Sequence, residues 1–202
     1  MTMGKRWLLP ALACLFIGCP LLQATPATPY VDYTGVPPSF TNNGYYISPY
    51  GGKLYTGTAT LNEGFYCIDF VHGIKAGDMW SVTIVPVTSG SPPAVLESAW
   101  LASQMMSLYA GPLTTTIKND IAADQWAIWS LTGATDPFTG SLSAATLLGS
   151  MPAGYTGAGW EDLVPVAGSG GQNFLVHTPE PSTLFLLGLG VLGILGRKLK
   201  KS

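Results

Sequence analysis

Between residues 43 and 87 the chain alternates short runs of β-branched and aromatic residues with glycine-containing turns, and this alternation constrains the fold most strongly. Asn, Asp and Gly between such runs favour tight turns, and the runs themselves are typical of strands. The runs cover residues 45–47, 53–61, 65–70 and 80–87. The chain also has 25 glycines and 16 prolines, which is unfavourable for a bundle of long helices. We therefore expect a β-rich sandwich or barrel.

The pattern changes to a helical period between residues 91 and 133, and a short helix over 143–148 and a last strand over 172–177 follow. The inward stripe of the first helix would be Val95, Ala99, Ala102, Met106 and Tyr109. A second helix is predicted over about 118–131, with a stripe of Ile117, Ile121, Ile128 and Leu131. Gln125 lies on the flank of this second stripe. The fold class is therefore α+β, a β-rich domain with a helical insertion.

The distribution of charge argues against a nucleic-acid partner. Nine Lys and Arg face eleven Asp and Glu, and the region between the two ends contains only Lys53, Lys75 and Lys118 as cations. Binding to nucleic acid needs clustered Lys and Arg that displace counterions.

The first 24 residues have the layout of a secretory signal peptide, with Lys5 and Arg6 followed by an apolar run over 7–17 and then small residues. We expect export through the Sec translocon and cleavage after Ala24. An alternative is lipoprotein processing with Cys19 as the acyl acceptor, which ranks second because Pro20 follows it directly. Residues 25–42, rich in Pro and Thr, are predicted to be a linker.

Three features follow one another over residues 178–202: Pro179-Glu180-Pro181, an apolar helix over 183–196, and a basic tail over 197–202. The apolar stretch is short for a transmembrane helix, and the basic tail would hold its end in the cytoplasm. Together the three features resemble the PEP-CTERM sorting signal. That resemblance implies processing by an exosortase and a precursor in the inner membrane of a Gram-negative envelope. It also implies a final place on the cell surface or in the extracellular matrix, often with exopolysaccharide or biofilm.

Two motifs in residues 43–177 surround Cys67, the one cysteine outside the predicted signal peptide, and Gln125. They are the strand motif Tyr66-Cys67-Ile68 and the helix motif Gln125-Trp126-Ala127-Ile128-Trp129. Both resemble motifs of the bacterial thioester domains of surface adhesins. The resemblance implies a cell-surface adhesin with an internal bond between these two side chains.

The chemistry follows from the residue types. A Cys67 thiol held against the Gln125 amide can displace ammonia and form a thioester, provided that proximity is enforced. An amine or hydroxyl on a target, exopolysaccharide included, could then attack the Gln125 carbonyl and release the thiol. Each chain would react once, so we predict no enzyme and no cofactor. Water would have to be kept away, and Tyr66, Trp126 and Trp129 are the candidate shield.

Simpler interpretations remain open at this point. Cys67 could be an ordinary core residue, and Gln125 could bond a loop carbonyl. The protein would then be a non-covalent structural or carbohydrate-associated matrix protein. A metal site at Asp69 and His72 is not favoured, because no further ligand lies near them in sequence. A hydrolytic enzyme ranks third, because neither histidine lies in a recognisable catalytic motif.

Overall fold

The structure is a computed structural model that describes residues 28–35, 40–57 and 59–178. The predicted signal peptide over 1–24, the Pro179-Glu180-Pro181 motif, the apolar helix over 183–196 and the basic tail over 197–202 lie outside the described residues. These assignments stay predictions as far as structure is concerned.

Six strands form a closed antiparallel barrel, so the expectation of a β-rich sandwich or barrel with a helical insertion is met by a barrel. The strands are β1 (Tyr30–Gly35), β4 (Tyr50–Tyr55), β5 (Thr60–Cys67), β6 (Met79–Pro86), β7 (Trp160–Pro165) and β8 (Phe174–His177). Their order around the barrel is β1-β4-β5-β8-β7-β6, and β6 closes it on β1. A small hairpin of β2 (Thr41–Asn42) and β3 (Tyr45–Tyr46) lies between β1 and β4 in the chain.

The linker predicted over residues 25–42 needs a correction. Residues 30–35 of that segment are β1, a barrel strand that pairs with β4 on one side and with β6 on the other. Val31 and Tyr33 alternate with less buried residues and point into the core, which is the two-residue period of a strand. The prolines and threonines around this segment made that period hard to recognise in the sequence. The folded domain therefore begins before residue 43.

The ring of Phe174 organises the barrel core. It contacts the rings of Tyr50, Phe65 and Trp80, with centroid separations of 5.6 to 5.8 Å. Gly52 of β4 leaves the space that the Phe65 ring occupies, because a β-carbon at that position would collide with the ring. A glycine inside a strand is thus required by close packing and is more than a turn residue.

The chain between β6 and β7 forms the helical layer. It contains α1 (Pro93–Tyr109), α2 (Thr115–Ser130), a short 3-10 helix (Gly140–Leu142) and α3 (Ala144–Gly149). Pro93 at the first position and the Thr114 hydroxyl, which accepts from the Ile117 N–H at 3.3 Å, begin the two long helices. None of the helices in the described part of the chain is long and apolar enough to span a membrane.

Helix α2 is buried on nearly all sides, which the sequence pattern did not indicate. Every residue from 121 to 129 is buried, because α2 packs against α1 and α3 and also contacts the barrel at the end of β5. On α1, Met105 is fully buried whereas Met106 is 37% exposed, so the predicted inward position is wrong by one residue. The burial of α2 determines the environment of Gln125.

Candidate functional site

Cys67 and Gln125 meet at the interface between the barrel and α2. Cys67 is the last residue of β5, and Gln125 is a fully buried residue in the middle of α2. The Gln125 side-chain Nε2 donates a hydrogen bond to the Cys67 backbone carbonyl at 2.9 Å, across 58 residues of sequence. A buried amide must find such partners, because leaving it unpaired would cost free energy. The two residues that the sequence singled out are therefore in direct contact.

Ser48 joins both residues from the segment that precedes β4. Its backbone N–H donates to Gln125 Oε1 at 3.3 Å, and its Oγ accepts from the Cys67 N–H at 3.0 Å. The Tyr109 hydroxyl donates to the Ser48 carbonyl at 2.6 Å and ties this segment to the end of α1. The Gln125 carboxamide is thus held at both its nitrogen and its oxygen.

A cleft of about 370 Å³ opens beside Cys67. Its volume is at the lower end of the range for small-molecule sites. Its lining includes Tyr45, Tyr46, Cys67, Phe70, His72 and Trp129. Cys67 itself is only 1% exposed, so the thiol lies at the bottom of the cleft and is covered by aromatic side chains.

Four aromatic rings pack together above the junction of barrel and α2: Tyr45, Phe70, Trp126 and Trp129. All pairs among them have ring centroids between 5.2 and 5.9 Å apart. The two tryptophans predicted as shielding residues belong to this cluster. Tyr66, the third predicted one, packs edge-on against Trp160 at 5.3 Å and does not line the cleft.

The hairpin that carries Tyr45 is built from local turn chemistry. Asn43 and Gly44 connect β2 to β3 with φ angles of 49° and 82°, the positive values that a two-residue hairpin turn requires. The Trp126 indole N–H donates to Asn42 Oδ1 at 3.0 Å and fastens the hairpin to α2. Tyr45 and Tyr46 remain 46% and 56% exposed at the mouth of the cleft.

The loop after β5 places an acid and a histidine on the same cleft. Asp69 Oδ2 lies 2.6 Å from His72 Nδ1, and Asp69 Oδ1 accepts from the backbone N–H groups of Val71 and His72. The buried Gln172 amide nitrogen donates to the carbonyls of Asp69 and His72, both at 2.6 Å. In the part of the chain that the structure describes, no cluster of three or more His, Cys, Asp or Glu could hold a metal ion.

Burial raises the pKa of the Cys67 thiol to about 12, while interactions with the Trp129 side chain and the Asp69 backbone lower it by less. The thiol also donates to the Asp69 carbonyl at 3.2 Å. Reactive cysteines of enzymes that turn over have lowered pKa values and partial exposure. Cys67 has neither property, so a resting thiolate nucleophile is disfavoured.

Two buried carboxyl groups were not singled out in the sequence. Burial, and to a lesser degree the neighbouring Asp120, raises the pKa of Asp124 to about 7. Burial raises the pKa of Asp162 on β7 to about 6, against a smaller effect of Asn173. No sequence pattern marks either residue, because an acidic residue on a helix or strand is usually assigned to the solvent side.

Because of these two carboxyl groups, we predict that the free energy of unfolding falls as the pH rises from about 4 to about 7. Their pKa values are higher in the folded than in the unfolded chain, so the folded state holds more protons in this range and loses that advantage on ionisation. Asp124→Asn should weaken the dependence of the free energy of unfolding on pH, whereas Asp32→Asn, at a partly exposed position of β1, should leave it unchanged. Urea midpoints measured from pH 4 to pH 8 test this, and a wild-type midpoint that rises steadily to pH 8 would contradict it.

Comparison with known proteins gives a match for residues 177–201, most of which lie outside the described residues. The family model described as the PEP-CTERM protein-sorting motif matches residues 177–201. No curated protein and no solved structure gives a match. The resemblance to thioester domains therefore stays a prediction, whereas the predicted sorting signal is confirmed. The chain carries the motif of an exported, membrane-anchored precursor that an exosortase processes for the cell surface.

Proposed function

We propose that this exosortase substrate attaches covalently to a surface target through a thioester between Cys67 and Gln125. One observation carries the proposal: the fully buried Gln125 carboxamide donates to the Cys67 carbonyl at 2.9 Å. A glutamine in such a place has lost its rotamer freedom and is held beside the backbone of Cys67, which supports the proximity that amide activation needs.

The contacts of the carboxamide support the first chemical step. The Cys67 sulfur attacks Cδ of Gln125, the C–N bond breaks, and the thiol proton leaves with the nitrogen as ammonia. Negative charge develops on Gln125 Oε1 during the attack, and the Ser48 N–H already donates to that oxygen at 3.3 Å. A backbone donor aimed at developing charge is the arrangement that stabilises acyl-transfer intermediates.

The surroundings support the survival of the product. Trp126 and Trp129 are at most 5% exposed and, with Tyr45 and Phe70, cover the junction with aromatic surface. Exclusion of water slows hydrolysis of a reactive acyl group. The high pKa of the Cys67 thiol opposes repeated turnover as a free nucleophile but does not affect a thiol consumed in a bond. We accordingly infer a single reaction per chain and no enzymatic turnover.

The reaction would follow export. The chain would leave the cytoplasm through the Sec translocon, remain in the inner membrane of a Gram-negative envelope by residues 183–196, and be released toward the surface by the exosortase. The barrel then faces targets that carry amine or hydroxyl groups, which include exopolysaccharide. A covalent bond would retain the protein in the matrix after the membrane anchor is cut.

A second candidate is non-covalent association with carbohydrate, and the exposure of Tyr45 and Tyr46 at the cleft favours it. Tyrosine offers a flat apolar ring and a polar hydroxyl, a combination that suits binding surfaces. This candidate needs no bond at Cys67.

Uptake of methylamine separates the two candidates. An ordinary glutamine amide does not react with a dilute amine, whereas a thioester does. The covalent proposal expects one methylamine per chain, located at Gln125, together with one new free thiol at Cys67. The non-covalent candidate expects neither change.

A further inference from the structure

We propose that His72, held by Asp69, is the general base that directs a hydroxyl group of a saccharide onto the Gln125 acyl group. This inference rests on the proposed thioester and adds the class of acceptor and the residue that activates it. It assigns a function to a pair of residues that the sequence suggested only as an unfavoured metal site.

The geometry of the pair suits base catalysis. His72 Nδ1 lies 2.6 Å from Asp69 Oδ2, so an ionised Asp69 fixes the ring tautomer with its proton on Nδ1. The other ring nitrogen, Nε2, then carries the lone pair that can accept a proton. The His72 side chain is 62% exposed while that of Asp69 is 16% exposed, so the base is accessible and its supporting acid is partly covered.

The loop that carries the pair is fixed from two directions. Asp69 Oδ1 accepts from two backbone N–H groups of its own loop, and Gln172 donates to the carbonyls at both ends of the segment 69–72. Gln172 is itself 7% exposed and comes from the segment before β8. A catalytic group gains most when its supporting contacts are already formed, and here they come from the protein itself.

The cleft brings the base and the cysteine of the proposed thioester to one cavity. His72 and Cys67 line the same space of about 370 Å³, and Tyr45 and Tyr46 form part of its wall. Tyrosine rings can pack against the C–H face of a sugar while their hydroxyls remain hydrated. Trp129 also lines the cleft, and the interaction of its side chain with the Cys67 sulfur lowers the pKa of that thiol. A buried donor beside the reacting sulfur can stabilise the charge that the sulfur gains.

The reaction would move the Gln125 acyl group from sulfur to the hydroxyl oxygen. The hydroxyl oxygen attacks the thioester carbonyl carbon of Gln125 as His72 Nε2 takes the hydroxyl proton. The carbon–sulfur bond then breaks, and the proton passes to the Cys67 sulfur, which leaves as a thiol. The products are an ester on Gln125 and free Cys67.

A neutral amine is a good nucleophile without a base, but a hydroxyl is not, so the presence of a base favours hydroxyl acceptors. Burial raises the pKa of the Cys67 thiol and so destabilises its thiolate. Transfer of the proton from His72 to the sulfur therefore assists its departure.

The test uses the full chain, exported and purified in detergent, with maltose and methylamine as the two acceptors. Mass spectrometry follows the formation of the maltose ester and of the methylamide over time. His72→Gln should slow ester formation by about 10²-fold or more, and Asp69→Asn should slow it by a smaller factor. The rate with methylamine should change by less than about 3-fold, because that acceptor needs no general base.

His177→Gln is the matched control, because His177 packs on Trp160 at the end of β8 and lies outside the cleft lining. Its rates with both acceptors should equal those of the wild type. Two results would overturn this inference: equal rates of maltose ester formation for His72→Gln and the wild type, or no reaction of the wild-type thioester with maltose. In either case a normal reaction of the wild type with methylamine would leave the proposed function intact. Failure of the wild type to react with methylamine would instead overturn the proposed function, and this inference with it.

Discussion

Cys67→Ala should abolish methylamine incorporation at Gln125, from one label per chain to none. The Gln125 amide acquires reactivity only when its nitrogen has been replaced by the Cys67 sulfur, since an amide is a poor electrophile. The change removes one sulfur from a position that is 1% exposed and should leave the Gln125 hydrogen bond to the backbone carbonyl of residue 67 in place. The loss of labelling would therefore report chemistry and not unfolding.

Gln104→Ala provides the control for this experiment, since Gln104 is a partly exposed helical glutamine on α1 and does not line the cleft beside Cys67. It should take up one methylamine, like the wild type. Peptide mapping should place the label in the tryptic fragment that contains Gln125. Labelling that persists in Cys67→Ala would show that the modified glutamine is not activated by this cysteine.

Gln125→Ala should have the largest effect on stability, a loss of about 2–5 kcal/mol. Gln125 is fully buried, so truncation leaves a cavity and two unpaired backbone groups, the Ser48 N–H and the Cys67 carbonyl. The expected loss is a large part of the stability of an ordinary domain. It should appear as a lower urea midpoint in a fragment of residues 25–178.

The comparison is cleanest in the Cys67→Ala background, where no covalent link between β5 and α2 can contribute. Gln104→Ala in the same background should change the free energy of unfolding by less than about 0.5 kcal/mol. An equally small effect of Gln125→Ala would mean that the carboxamide does not hold the barrel against α2.

The strand predicted over residues 80–87 corresponds to β6, because its apolar run is long and ends at turn residues. The predicted runs over 53–61 and 65–70 have the wrong bounds, because β4 ends at Tyr55 and β5 extends from Thr60 to Cys67. Strand β1 was missed because the residues around it are rich in Pro and Thr, and β7 because glycines surround Trp160. Both strands are specified by their partners in the closed barrel, and pairing across the chain is not readable from local pattern.

The candidate site was predictable only in part. Cys67 and Gln125 stood out by their motifs, and the structure brings them into contact. Ser48 has no sequence signal, since its role comes from a backbone N–H and a hydroxyl placed by a loop. Asp124 was missed because amphipathic patterns assume that one helix face meets water, whereas α2 is covered on nearly every side.

The arrangement of Asp69 and His72 could not be predicted from the sequence for a different reason. Their spacing was visible in the sequence, but its meaning depended on the loop that Gln172 fastens from 100 or more residues away. Only the folded chain puts the pair on the cleft beside Cys67.

The most direct test of the central claim is the intact mass of the exported chain, measured without reducing agent after peptide mapping has established both ends. The account predicts a mass lower than that of the sequence by one ammonia, and no thiol at Cys67 that a thiol reagent can reach after unfolding. A full sequence mass, with Cys67 freely titratable in the unfolded chain, would contradict it. The non-covalent association with carbohydrate would then be the better account of this barrel.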